Sequence, residues 1–308
     1  MKYRRLGKTN LRVSVIGMGT WQLGGEWGKT FAQAEVDRMF EAAREVHINL
    51  IDTAECYGDH ESERFIGNAV AADRQQWVIA TKFGHKFHGY MNRSDERSPA
   101  DAVAQLEASL TALRTDYVDL LQYHSVRDSE FENDELTAAL DGLLKAGKVR
   151  HLGNSIRGDT DSAMAQVQAS TQQRVECVQV IYNRLDLRPE VAVFPSCIAQ
   201  DLGVLARVPL ASGLLSGKYK PGATFSANDF RNGQDREALD KRLKEVERIQ
   251  QEELPASVKM AQWALGWCLS HAAVSAVIPG CKDDQQVYSN AEAAELAMVK
   301  IDHPQAWK

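Results

Sequence analysis

Asp52, Tyr57, Lys82 and His124 are residue types that work together in proton transfer. A tyrosine titrates near pH ~10. An ammonium beside it favours the phenolate and lowers that value, while a carboxylate holds the lysine and offsets its desolvation. A histidine then orients a polar substrate or shares the proton. Together they make a general acid for a carbonyl oxygen, as hydride addition to a carbonyl carbon requires. Singly, each has a plainer reading: a helix cap, a surface aromatic, a solvated lysine, a structural histidine. Their placement argues for the joint one, because three of them end consecutive apolar runs and Tyr57 lies one loop beyond the first.

Those runs are elements of a repeating pattern. Residues 15–18, 48–51, 77–81, 118–123, 149–152, 177–181, 204–208 and 275–278 read as short buried strands. Segments of helical period follow them, such as 99–113, which opens on Pro99. Residues 2–15 read as a hairpin turning at Gly7-Lys-Thr-Asn10. Eight strand–helix units without a linker, in 308 residues, predict a single (β/α)8 TIM barrel domain with an N-terminal β-hairpin cap, given the ~250 residues typical of that fold plus insertions. Chemistry in such folds collects at the C-terminal strand ends, where Asp52, Lys82 and His124 fall. The one long loop, after the seventh strand, is expected to bind or cover something.

A net charge of −6 argues against a nucleic-acid surface. Five scattered cysteines without a CxxC pair suggest reduced thiols and a cytoplasmic location. Neither a signal peptide nor an apolar run of the ~18 residues that span a bilayer is present, so no membrane association is expected. Gly17-Met-Gly19 does not continue to a third glycine, Gln22 standing there, which argues against a Rossmann fingerprint. His85-x-x-His88 has no third ligand nearby in sequence, so no metal is expected.

Asp52-Thr-Ala-x-x-Tyr57-Gly, Thr81-Lys82 and Tyr123-His124, in that order and register, resemble the tetrad of the aldo-keto reductases, and the likeness runs over nearly the whole chain. The resemblance implies metal-free, nicotinamide-dependent carbonyl reduction: Tyr57 as acid, Lys82 tuning it, Asp52 anchoring Lys82, and His124 orienting the substrate with Trp21 as a wall. It also implies coenzyme contacts. Ser155 and Gln179 would hold the carboxamide, Tyr182 would stack on the ring, and Thr20, Trp21 and Asp52 would lie beside it. The stretch Pro209-Leu210-Ala-Ser212-Gly213-Leu214 to Lys218 is similar to the family's pyrophosphate segment. Gly280, Lys282, Gln286 and Asn290 resemble the adenosine end, with Lys282 available to a 2′-phosphate. The bland alternative there is an ordinary acidic helix start at Asp283 and Asp284. One departure is Ile156, where the family commonly has asparagine.

The expected activity is NADPH-dependent, reversible reduction of an aldehyde or ketone to the alcohol. The mouth aromatics Trp21, Tyr57, Phe83, Phe87 and Tyr90 suit a sugar-like or small cyclic compound. Two alternatives compete. One is a nucleotide-binding, redox-sensing regulatory subunit, and the other an NAD-dependent sugar dehydrogenase. The partner in the main reading is a small carbonyl or alcohol.

Overall fold

The computed structural model describes residues 1–158 and 160–307. It opens with a hairpin, β1 (Tyr3–Arg5) antiparallel to β2 (Arg12–Ser14). The parallel sheet begins with β3 (Met18–Gly19), β4 (Leu50–Asp52) and β5 (Val78–Phe83). A second hairpin follows, β6 (His85–Gly89) with β7 (Asn92–Asp95). The sheet resumes with β8 (Val118–His124), β9 (Val149–Ser155), β10 (Val175–Ile181), β11 (Gly203–Arg207) and β12 (Ala276–Val277). Its order is β3-β4-β5-β8-β9-β10-β11-β12, parallel throughout. Parallel bridges from Ile16 to Val277 and from Gly19 to Gly280 join its first and last strands, with the Gly17 N–H donating to the Val277 carbonyl at 2.8 Å. The ring is thereby closed into the (β/α)8 barrel.

The helices over the strands are α1 (Gln33–Glu45), α2 (Glu61–Val70), α3 (Pro99–Leu113), α4 (Asp128–Phe131), α5 (Asp134–Lys145) and α6 (Thr160–Ala169). They continue with α7 (Arg188–Ala192), α8 (Phe194–Ala199), α9 (Arg236–Glu252), α10 (Met260–Leu269) and α11 (Asp284–Ala291). The stretch 188–199 forms two short helices, and Pro195 falls in the first turn of the second, where its missing N–H costs least. The β6–β7 hairpin was not anticipated, since it contains no Val, Ile or Thr to mark it as strand.

Side chains two apart on a strand share a face, so the barrel interior fills in layers. Leu50, Ala80, Leu120, Cys177 and Leu205 form an apolar layer, plugged from below by Leu6 and Val13 of the hairpin. The residues two positions on are Asp52, Lys82, Gln122, Gln179 and Arg207. Each of these five strands therefore turns polar at its next inward position, whereas the chain stays apolar from Ala276 to Ile278.

Candidate active site

The polar layer is one hydrogen-bonded network. Lys82 Nζ donates to Asp52 Oδ2 at 2.9 Å, to the Thr53 carbonyl at 2.7 Å and to the Tyr57 hydroxyl at 3.3 Å. The other Asp52 oxygen accepts from Gln179 Nε2 at 2.6 Å and Gln122 Nε2 at 3.2 Å. A buried ion pair is tolerable only when its remaining lone pairs are satisfied, and the two glutamines do this. Gly153 makes room for Gln122, because a Cβ there would lie 2.9 Å from Gln122 Cγ. Burial alone would lower the lysine's pKa, but Asp52 and the Tyr57 oxygen outweigh it and raise it. The ammonium is therefore permanent at neutral pH.

Tyr57 departs from expectation. Burial pushes its pKa up to about 12, and the Lys82 charge only partly offsets this. Desolvating a phenolate costs more than one ammonium, itself neutralised by Asp52, returns. The group is a firmly protonated phenol. Trp21 stacks near it, ring centroids 6.2 Å apart, and is pinned by its indole N–H donating to Glu26 at 2.7 Å. His124 meets Tyr57 edge to face at 6.3 Å. Burial, then the charges of His85, Lys82 and Arg207, hold its pKa well below the usual histidine value, so the imidazole is neutral. Behind it Glu55 lies 3.9 Å from Nδ1, almost wholly buried, and is pushed up to about 8 by burial and by Glu63.

Glu55, Cys56 and His124 bring ligand-type atoms within 4.8 Å of one another. The nearby Lys82 and Arg93 charges oppose a cation there. The His85/His88 pair diverges, toward Asp95 and Ser94 respectively.

A cleft with about 240 Å³ of solvent-accessible space, open at the mouth, runs from this network across the barrel. Asp52, Tyr57 and Gln179 lie at one end; Gly280, Lys282 and Gln286 lie at the other. Thr20, Trp21, Pro209, Leu210, Ser212, Gly213 and Lys218 line the walls between. Ser155 lies behind the wall, its hydroxyl 3.4 Å from Gln179 Oε1, and Leu214 packs its side chain into the core. Two expected contacts are corrected. Tyr182 does not face the cavity: it packs on Phe194 and Trp267, and its hydroxyl donates to Glu190 at 2.7 Å. Gln179 is inward, and an odd spacing of three sends Tyr182 to the outer face. Asn290 is buried, donating to Cys281 Sγ at 3.2 Å, and does not line the cavity. Phe83 is likewise buried against Tyr123 on the outer face rather than at the mouth.

The strand-seven loop carries a succession of left-handed residues: Val208 (φ 53°), Ala211 (50°), Ser212 (59°) and Gly213 (89°). Positive φ in a β-branched valine is strained, and such strain concentrates at ligand sites. Arg231 fastens the loop. It grips Asp229 at 2.6 and 2.9 Å and donates to the Ser212 carbonyl at 3.2 Å. Farther along, Asp229 bridges Trp27 and Phe230 packs 4.3 Å from the Trp27 ring, so the segment crosses the mouth. At the far end, Arg231, Lys29 and Lys218 lie near Lys282, and burial together with their charges lowers its pKa. Asp283 caps α11 by accepting from the Gln286 N–H, as the plain acidic-start reading expected.

Sequence reasoning missed Gln122, Arg207, Glu55 and Arg231. The first two were detectable as polar residues at inward parity on apolar strands. Nothing local marks the other two, whose roles depend on what folds over them.

The whole arrangement has counterparts. A model of the Aldo/keto reductase family matches residues 15–306. An NADH-specific methylglyoxal reductase of Escherichia coli is 30% identical, covering 98% of this chain and 96% of its own. A probable voltage-gated potassium channel subunit beta of Oryza sativa is 29% identical, covering 96% and 92%. Among solved structures, the holo form of aldo-keto reductase AKR11C1 from Bacillus halodurans superposes with a TM-score of 0.81 at 29% identity, covering 99% and 94%. With a family match over nearly its full length and a barrel of the same architecture, the chain belongs to the aldo/keto reductase family of oxidoreductases.

Proposed function

We propose that the protein reduces an aldehyde or ketone to the alcohol with NADPH, Tyr57 serving as the general acid. The observation that carries this is the Lys82 ammonium, bonded at once to Asp52 and to the Tyr57 hydroxyl inside a buried polar layer. A phenol that stays protonated holds its proton until a carbonyl oxygen gathers negative charge, and Lys82 then stabilises the phenolate left behind. His124, neutral, offers a hydrogen bond that orients the carbonyl, and Trp21 limits the substrate's approach.

The cavity fits a dinucleotide, which would supply the hydride. Ser212 and Gly213, both left-handed, line it with little side-chain bulk, which leaves room for phosphate to approach backbone N–H groups. At Gly280 a Cβ would overlap the Gln22 amide, which would have to swing away to admit a larger residue. Gln179 would reach the carboxamide only by sharing the amide it now gives to Asp52. Ser212, Gly213 and Lys218 would hold the pyrophosphate, and Lys282 the 2′-phosphate.

Tyr57→Phe should lower kcat by ~10²–10⁴-fold on any accepted carbonyl while changing coenzyme affinity little. Retention of more than half the wild-type kcat would reject the assignment. A second reading, a redox-sensing subunit, draws on the likeness to probable potassium channel β subunits. It predicts tight coenzyme retention and negligible turnover across a panel of carbonyls. NADH use, as in the NADH-specific Escherichia coli relative, is the remaining alternative.

A further inference from the structure

Glu26 takes no part in the proton-transfer network, yet it is only 1% exposed. It follows the turn that carries Trp21, just past the left-handed Gly25. Its carboxylate accepts from the Trp21 indole N–H at 2.7 Å, from the Met91 backbone N–H at 2.8 Å, and from the Arg93 guanidinium. Met91 and Arg93 belong to the β6–β7 hairpin. The Glu26 carbonyl accepts from the Phe230 N–H at 3.3 Å, which comes from the segment after β11. Three mouth segments from distant parts of the chain therefore meet on one residue. A buried carboxylate is stable only where donors surround it, so each donor is held in place by the same charge.

Trp21 is the side chain this junction controls. Its ring meets Trp27 edge-on at 5.2 Å, lies 5.1 Å from Phe230 and stacks near Tyr57 at 6.2 Å. It lines the long cleft and also an adjoining cavity bounded by Ile181, Leu185, Leu187 and Phe230, so it stands as the partition between them. The base of its turn is seated against the acid. A Cβ at Gly24 would lie 2.6 Å from the Tyr57 carbonyl carbon, and the Thr20 hydroxyl donates to the Asp52 carbonyl at 2.8 Å. With the base fixed, the indole moves away from Tyr57 only by breaking its bond to a buried carboxylate.

We propose that Glu26 is a specificity-determining positioning residue: by latching Trp21 to the β6–β7 hairpin it keeps the approach to Tyr57 narrow, so that the site takes slender, unbranched aldehydes and rejects those with bulk near the carbonyl. This rests on the carbonyl-reductase reading and narrows it to a substrate class. Glu26 acts through the indole and touches no reacting atom.

The test pairs butanal with 3,3-dimethylbutanal, whose carbonyls are alike and whose bulk differs. Wild type should favour butanal in kcat/KM by ~10–100-fold. Glu26→Gln keeps the shape of the side chain but turns an amide N–H₂ toward the donors. In that variant the ratio should fall toward one, chiefly through a lower KM for the branched aldehyde, and Glu26→Asp should keep part of the preference. Trp21→Phe removes the indole N–H and leaves the Glu26–Arg93 pair intact. It should relax the preference too, and the double variant should go no further than Trp21→Phe alone, because the two residues act as one. A wild-type ratio near one, an unchanged ratio in Glu26→Gln, or additive effects in the double variant overturns the proposal. If Glu26→Gln fails to fold, Glu26→Asp takes its place in the same comparison. A readout independent of turnover is the indole N–H resonance that disappears in Trp21→Phe. Its exchange with solvent should be slow in wild type and ~10-fold or more faster in Glu26→Gln, as loss of a hydrogen bond to a charged group requires. Should wild type reduce neither aldehyde, the reductase reading itself fails and this resonance decides the latch. Faster exchange in the variant then upholds it, and equal exchange overturns it.

Discussion

At the residue scale, the site is governed by what burial does to charge. One layer of the barrel holds a permanent ammonium, a satisfied carboxylate and a phenol too desolvated to ionise, so acid chemistry is available without any group titrating near neutrality. Glu55 is the exception, with a carboxyl pushed up to about 8 by burial and Glu63. A carboxyl whose folded pKa lies above its unfolded value binds more protons when folded. Its contribution to stability is fully present below about pH 4, near the unfolded value, and is lost as pH rises through about 8. Glu55→Gln removes the ionisation. The variant should gain on wild type in unfolding free energy, read by urea titration, as pH rises from 5 to 8, by up to a few kcal/mol at the upper end. A stability difference that is constant with pH would mean that Glu55 is already ionised in the folded protein.

At the element scale, the functional loops are fastened to one another rather than left free. Arg231 ties the segment after β11 to Ser212, and the Trp27–Asp229 bridge ties it to the loop after β3. Lys282 closes the same ring by donating to the Trp27 carbonyl at 2.7 Å. That bond is intramolecular and exchangeable, so a 2′-phosphate competing for the ammonium gains a charge-assisted contact of ~1.5–3 kcal/mol less the bond given up. Asp229 nearby opposes phosphate. The expected outcome is NADPH preferred over NADH, with Lys282→Ala weakening NADPH about tenfold and NADH far less. Titrating both coenzymes against both proteins by tryptophan quenching measures it. Equal losses, or an initial preference for NADH, would show that the lysine serves the loop rather than the phosphate.

At the scale of the molecule, the barrel divides stability from chemistry along its axis. The lower layer is apolar and capped by Leu6 and Val13, and the polar network begins one layer above. Removing side-chain volume at the bottom should cost folding energy without reaching the site. Leu6→Ala, fully buried, is expected to lose about 2–5 kcal/mol in unfolding free energy with KM and kcat near wild type below the unfolding transition. A changed KM at undiminished stability would mean that the hairpin plug communicates with the mouth. The split also shows why eight strand ends were enough to identify the architecture. Each short apolar run must be buried on both faces, and a closed parallel ring with helices outside is how eight of them achieve it.

The sequence by itself determined the ring of strands, the order of Asp52, Tyr57, Lys82 and His124 along it, and the long loop after the seventh strand. These follow from local patterns: apolar runs, their ends, and small residues near a lysine. Parity within a strand was equally local, and applied strictly it would have turned Tyr182 and Phe83 outward and brought Gln122 and Arg207 in. Only the tertiary structure decided which effect prevails on Tyr57, because desolvation depends on everything packed around a group, whereas the sequence displays only the neighbouring charge. The same holds for Glu55, Arg231 and Asn290. Whether an acid is buried, an arginine bridges two loops or an amide reaches a cavity is set by residues tens or hundreds of positions away.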